Sequence, residues 1–265
     1  MKAWISILAI PAALFAQDIL QRKPMPADAN PTFEVATIKP SAPDEHNFGS
    51  GVSPAGRFTA HNTSLRYLMV LAWGVHPRQI EGGPPWFESE RFDIVAQPDR
   101  EGSPGKQQLM AMLQKLLADR FQLRIHREEK DLAAYAITVG RQGSRLTPSA
   151  GDSSGLPTSE LDGRGSLKAR NMTMAEFAEG LQGVVLDRPV IDRTGLSGRF
   201  DFTLNWAPDE FQFPNRPANA ARPDTDATLP DLFKAFEDQL GLKLESTKAP
   251  VEMLVIDHAE KPSAN

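Results

Sequence analysis

The 265-residue sequence contains no cysteine. Disulfides and lipidation of an N-terminal cysteine are therefore excluded, and the fold must hold by packing alone. Histidine is sparse. His46, His61, His76, His126 and His258 stand apart, with no His-Glu-x-x-His or His-x-His spacing, so no metal centre and no cofactor are expected. No serine sits in a Gly-x-Ser-x-Gly elbow; Ser144 and Ser197 lie in loop-like stretches with no base evident nearby. Gly49, Gly51 and Gly56 lack the Lys-Ser/Thr ending of a phosphate-binding loop and read as a flexible connection. Asp187, Asp192 and Asp201 fall close in sequence. The first two flank a turn and the third alternates in a strand, so they do not read as a carboxylate dyad. Basic charge is not in surplus either. Twenty-nine Lys and Arg against 34 Asp and Glu give a net charge of -5, which argues against a nucleic-acid partner.

What is present is the composition of a globular protein, 40% hydrophobic and 24% charged. The chain is long enough for one large domain or two small ones. Lys2 followed by the uncharged, mostly apolar residues 3–15, with Ala16 before the cut, reads as an export signal over residues 1–16. That run is short for a membrane-spanning helix, so no stable span is expected once it is cleaved. The expected location is periplasmic or extracellular. Residues 17–32 read as a loose mature N-terminus. A first unit is expected over 33–139, a linker over 140–163 and a second unit over 164–258. A Pro/Asp-rich insertion falls at 208–230 and a tail at 259–265.

Apolar periodicity predicts strands at 33–39, 57–61 and 91–97, and helices at 65–74 and 107–118. Asn62-Thr63-Ser64 supplies a helix cap. The segments 121–126 and 135–139 read as paired strands joined by a charged connection. An internal repeat organises these pieces. GRFTAHNTSLRYLMVL (56–71) matches GSLKARNMTMAEFAEG (165–180), and RFDIVAQ (91–97) matches RFDFTLN (199–205). LLADRFQLRIH (116–126) matches AFEDQLGLKLE (235–245), and YAITV (135–139) matches LVIDH (254–258). The offsets are 109, 108 and then 119. The added residues fall in the Pro/Asp-rich tract, where loop lengthening costs little. The fold class is therefore α+β. Two duplicated units are expected, each a small, mostly antiparallel sheet packed with two helices.

The segments FEVATIKPS (33–41), GRFTAHNTSLRYLMVLAWGV (56–75), PPWFESERFDIVA (84–96), MLQKLLADRFQLRIHREEKDLAAYAITV (112–139) and RPVIDRTGLSGRFDFTLNW (188–206) resemble the exported "domain of unknown function 3738" family, which is expanded in soil acidobacteria. The resemblance runs from about residue 33 to the C-terminus. It implies no established activity. A similar module accompanies metallopeptidase-like sensor proteins in some relatives, which implies a role in envelope sensing; this chain has no such peptidase half. The second repeat also looks like the short N-terminal domains of secretins and TonB-dependent receptors. That likeness implies binding rather than catalysis.

Three surfaces are candidates for binding. Trp86 and Phe87 sit on a proline-stiffened loop, as an aromatic anchor or as a lid tucked over the core. Arg193 and Arg199 flank a turn built on Gly195 and Gly198, either as ligands or as partners of Asp192 that pin the turn. Arg124 lies in the charged run 120–127, which either discourages edge pairing or offers an edge to a partner strand. The expected function is an exported, non-catalytic module that recognises a protein or other envelope component. The alternative is a small-ligand binder or hydrolase with its site in the cleft between the two units.

Overall fold

A computed structural model describes residues 23–45, 48–150, 157–162, 164–213 and 228–263. The expected export signal, His46 and most of the Pro/Asp-rich tract lie outside the described residues. The first half contains β1 (Phe33–Pro40), β2 (Gly49–Val52), β3 (Phe58–Thr63), α1 (Leu65–Trp73), β4 (Ile80–Gly82), α2 (Trp86–Ser89), β5 (Phe92–Pro98), α3 (Lys106–Phe121) and β6 (Arg124–Val139). The second contains β7 (Thr147–Pro148), β8 (Thr158–Asp162), β9 (Ser166–Met172), α4 (Met174–Gly180), β10 (Val190–Asp192), β11 (Phe200–Asn205), α5 (Leu232–Ala235) and β12 (Leu242–His258). Helices α4 and α5 each run on into a π turn, at Leu181–Val185 and Phe236–Leu240.

The fold is α+β and carries its duplication in detail. One sheet has the order β1-β5-β3-β2 and another the order β7-β11-β9-β8, both wholly antiparallel. In both, a register shift interrupts the inner strand pair just before a helix. At that bulge stand Asn62 (φ 53°) and Asn171 (φ 52°), in the left-handed region that Asn tolerates better than most residues. The backbone N–H of Asn62 donates to Asp93 Oδ1 at 3.0 Å, and that of Asn171 to Asp201 Oδ1 at 2.8 Å. The next turn of chain is a helix cap in both halves. Ser64 Oγ accepts from the N–H of Tyr67, and Thr173 forms a reciprocal capping box with Glu176.

A third sheet was not foreseen. Its order is β10-β6-β12-β4. The expected strands at 121–126 and 135–139 are not a pair: Phe121 ends α3, and 124–126 and 135–139 are parts of one 16-residue strand, β6. Its antiparallel partner is the 17-residue β12 from the other half. The charged run 126–131 breaks the apolar alternation and so imitates a loop. In the ribbon its side chains stay exposed and pair with neighbouring strands: Arg127 with Glu252 at 3.1 Å, Lys130 with Glu81 at 2.5 Å. Strands β10 and β4 join in parallel at opposite ends, β10 on residues 135–137 and β4 on 254–256. The offset of 119 maps Asp131 onto Pro250, which is its own pairing partner, so the ribbon has a pseudo-two-fold centre there. Trp86 and Phe87, expected on a proline-stiffened loop, instead start α2, with three residues between it and β4. The stretch 140–163 contains β7 and β8.

The chain divides into two compact units that cut across the duplicated halves. One comprises residues up to Leu68, Pro85–Phe121 and Glu260 onward; the other comprises Met69–Pro84 and Gln122–Ala259. The first buries Ile38, Phe58, Ile94, Met112, Leu113 and Phe121, with Phe92 edge-on to Phe121 at 5.3 Å. The second buries Phe177, Trp206 and Phe236, the two phenyl rings stacked 5.6 Å apart.

Candidate functional site

The residues singled out in the sequence do not form one site. Phe87 is buried on the short helix α2, and the Arg66 guanidinium lies 5.6 Å from its ring. Trp86 is half-buried and edge-on to Phe92 at 6.3 Å, so the aromatic pair closes the core rather than projecting as an anchor. Arg199 bonds Glu176 at 3.0 Å and the Asn171 carbonyl at 2.6 Å, which ties the β-bulge to the capping box of α4. The turn after β10 is pinned by Thr194, whose N–H and hydroxyl both bond Asp192 Oδ1, not by an Asp192–arginine pair. Arg193 is exposed, and its backbone N–H donates to the Ile137 carbonyl. Arg124 is exposed at the first residue of β6. Thirteen residues of extended strand, roughly 43 Å, separate Arg124 from Ile137.

Two of the described histidines, His76 and His126, have local partners. His76 is buried and its Nδ1 accepts from the N–H of Arg78. His126 is exposed between Glu128 at 3.1 Å and Asp257 at 2.7 Å, and its bonds to these two carboxylates raise its pKa above the usual 6.5. Among the described residues no group of three or more His, Asp or Glu is placed to hold a metal. No helix among them is long and apolar enough to cross a membrane.

The feature that sequence reasoning missed is the edge formed by β1. Among the described residues β1 has β5 on one side and no strand on the other. Ser41 N–H donates to the Arg91 carbonyl, which fixes the alternation of the antiparallel ladder. Val35, Thr37 and Lys39 therefore turn their backbone groups toward β5, and Ala36 and Ile38 turn theirs to the side away from β5. The Arg120 guanidinium of α3 confirms that direction by donating to the Ala36 carbonyl at 2.5 Å. Edge and helix enclose a groove of about 480 Å³, lined by the apolar Phe33, Val35, Met112 and Leu116 and by the charged Glu34, Lys115, Asp119 and Arg120. Val35 is 60% exposed, a large apolar side chain in water on an open strand.

The duplicate groove in the second half is different. Arg141, Gln142, Arg145, Lys234, Glu237 and Asp238 line a hollow of about 520 Å³. The rim pair recurs: Lys115–Asp119 at 2.9 Å corresponds to Lys234–Asp238 at 2.5 Å, at the offset of 119. The edge strand does not recur, for β7 retains two residues where β1 has eight. Where Arg120 meets β1, its counterpart Gln239 bonds both the N–H and the carbonyl of Asn205, the last residue of β11. One copy of the groove is thus capped and lined by polar groups alone, and the other adds Phe33, Val35, Met112 and Leu116 to its charged residues.

Both strand caps also carry charge. Burial opposes ionisation of Asp93, but the Asn62 N–H, the Ser41 hydroxyl and the nearby His61 and Lys39 hold it below the usual carboxylate range. The Asn171 N–H, then the Ser149 hydroxyl, do the same for Asp201. Ser41 follows Pro40 as Ser149 follows Pro148, so the edge of each sheet is latched by the same short motif.

No characterised protein and no solved structure shows significant similarity to the chain. The sequence profile of one family, described as "Protein of unknown function (DUF3738)", matches residues 66–259. By that match over most of its length, the chain belongs to the DUF3738 family.

Proposed function

We propose that this protein is an exported recognition module that takes up an extended segment of a partner polypeptide as an added strand on β1. The observation that carries the reading is the contrast between the duplicated grooves. The second-half sheet is capped by Gln239 at Asn205, while the eight-residue β1 has, among the described residues, no strand on its outer side and exposes Val35. Exposed edges are a liability that proteins usually blunt with charge. The flank of β6 that has no neighbouring strand among the described residues before Tyr135 obeys this with the run His126–Asp131. β1 carries only Glu34 and Lys39. An edge strand beside a groove that includes Phe33, Val35, Met112 and Leu116 has the geometry for strand addition, where main-chain bonds supply affinity and alternate side chains supply selectivity. Export rests on the sequence of residues 2–16.

A library of random twelve-residue peptides, selected on the protein and counter-selected on Val35→Lys, tests the reading. Val35 is exposed, so the variant should keep its fold by circular dichroism. Enriched peptides that slow hydrogen exchange along β1 support the proposal. Enriched peptides that bind Val35→Lys equally and protect another surface overturn it.

A further inference from the structure

We infer that the hollow beside the π turn Phe236–Leu240 is a binding site for a small, soluble phosphate monoester that also carries hydroxyl groups. The site is separate from the β1 edge, and the inference does not depend on strand addition there.

The first observation is how the hollow is held. Residues 140–143 form a tight turn, closed by the Gly143 N–H donating to the Gly140 carbonyl at 3.0 Å, with Arg141 and Gln142 at its corners. The turn is laced to the end of the π turn. The Gly140 N–H donates to the Gly241 carbonyl at 2.9 Å, and the Arg145 N–H to the Leu240 carbonyl at 2.8 Å. No side chain fits at that crossing, since a Cβ at Gly241 would lie 2.2 Å from the Gly143 carbonyl oxygen. Backbone fixed in this way places the charged groups before a ligand arrives, which lowers the cost of binding. The volume, about 520 Å³, is that of a small-molecule site.

The second observation is charge. Arg141, Arg145, Lys234 and Lys243 line the hollow with Glu237 and Asp238, and no apolar side chain joins them. Four cations less two carboxylates leave a formal surplus of +2. A phosphate monoester carries roughly -1.5 to -2 at pH 7. Lys234 pairs with Asp238 at 2.5 Å and Lys243 with Glu245 at 2.7 Å, but an ammonium has three donors and can serve a second acceptor. The Arg145 guanidinium bonds two neutral oxygens, the Asp238 carbonyl and the Gln142 side chain. Among the described residues Arg141 makes no hydrogen bond or ion pair, and neither does Glu237. Arg141 is therefore the unclaimed fork for an oxyanion. Glu237 repels a bare anion. It is satisfied by a ligand whose organic part brings a hydroxyl donor, which selects a polyol ester over inorganic phosphate.

The third observation is the duplication. Pro148-Ser149 follows Pro40-Ser41 by 108 residues, and the same offset takes Arg141 to Phe33, Gln142 to Glu34 and Arg145 to Thr37. Both copies keep the Lys–Asp rim pair. They differ on the turn, where the second has two guanidinium groups in place of a phenyl and a hydroxyl, and an amide in place of a carboxylate. In the first groove Lys115 and Arg120 balance Glu34 and Asp119, so its lining has no surplus. The positive charge is particular to the copy laced shut by Gly140 and Gly241.

The test titrates glycerol 2-phosphate into the protein at about 0.15 M sodium chloride, where long-range attraction is screened, and follows amide NMR shifts. The companion probes are glycerol, glycerate, inorganic phosphate and vesicles containing phosphatidic acid. Glycerol 2-phosphate should shift the amides of 140–145 and 234–243. Glycerol and glycerate should bind roughly tenfold more weakly or not at all, and inorganic phosphate more weakly than the ester. Arg141→Gln has no partner to lose, so it should keep its fold by circular dichroism and bind the ester roughly tenfold more weakly. Lys115→Gln, at the equivalent place in the first half, should bind it unchanged. Glu237→Gln should bring inorganic phosphate closer to the ester. Undiminished binding by Arg141→Gln, or shifts only elsewhere in the chain, would overturn the site. Equal binding of glycerate would overturn the choice of phosphate. Capture on vesicles with no response to the free ester would assign the hollow to a lipid headgroup instead, and no response to any probe at millimolar concentration would sink the inference.

Discussion

Asn62 and Asn171 hold left-handed backbone at the same point of the two halves, and each gives its N–H to an aspartate whose pKa is lowered. A carboxyl with a folded pKa below its unfolded value stabilises the fold above the unfolded pKa and loses that contribution as pH falls through the folded one. Thermal melts between pH 7 and pH 2 should therefore show stability falling below about pH 4. In an Asp93→Asn, Asp201→Asn double variant the melting temperature should be lower at pH 7 and the acid fall shallower. An unchanged acid fall would show that the two latches do not matter. A second pair of positions tests the duplication directly. Gln122 (φ 48°) and Gly241 (φ 64°) are equivalent at the offset of 119. A Cβ at Gly241 would lie 2.2 Å from the Gly143 carbonyl oxygen. Gly241→Ala should cost about 2–4 kcal/mol in urea unfolding, from left-handed strain plus the clash. Gln122→Gly relieves a strained position and should be neutral or stabilising by up to about 1 kcal/mol.

At the scale of elements, β1 makes a prediction that needs no partner. Thr37 and Lys39 point their N–H groups into the ladder with β5, whereas Ile38 points outward. Amide exchange measured by NMR should be slow at Thr37 and Lys39 and faster at Ile38; uniform protection would mean that the edge is covered. The same strand shows what could be seen beforehand. FEVATIK alternates cleanly, and the paired motifs around Asn62 and Asn171 announced the duplication from one-dimensional pattern alone. The openness of β1 did not show, because an edge differs from an inner strand by its neighbour and not by its own residues. Strand β6 was hidden for the opposite reason. Its middle carries six consecutive titratable residues, and a strand in a ribbon with an exposed face has no need of apolar alternation there. The candidate groove was invisible for both reasons together, since Phe33 and Val35 meet Met112 and Leu116 only after nearly eighty residues of intervening chain. Trp86 and Phe87 drew notice by residue type, but a proline-led helical turn directs Phe87 into the core.

For the whole molecule the β6–β12 ribbon is the main dependency. Its two strands come one from each half, so neither half can complete it. Residues 23–139 produced alone should be unfolded or aggregated by circular dichroism and gel filtration, and so should residues 140–263. Mixing the two fragments during refolding should restore a folded complex. If either fragment folds alone as a monomer, the ribbon is dispensable.

The ribbon also sets an order in time. A ribosome adding about 5–20 residues per second needs about 6–24 s to travel from Asp131 to its partner Pro250. For that interval β6 exists without its mate, and pairing so distant in sequence is slow to form even afterwards. An apolar sixteen-residue strand would spend the wait seeking any other edge, including those of its sibling chains. His126 to Asp131 make that unrewarding, since each foreign pairing would have to find partners for six titratable side chains. The charge run that breaks the strand pattern is then what keeps the waiting strand single until β12 has been made.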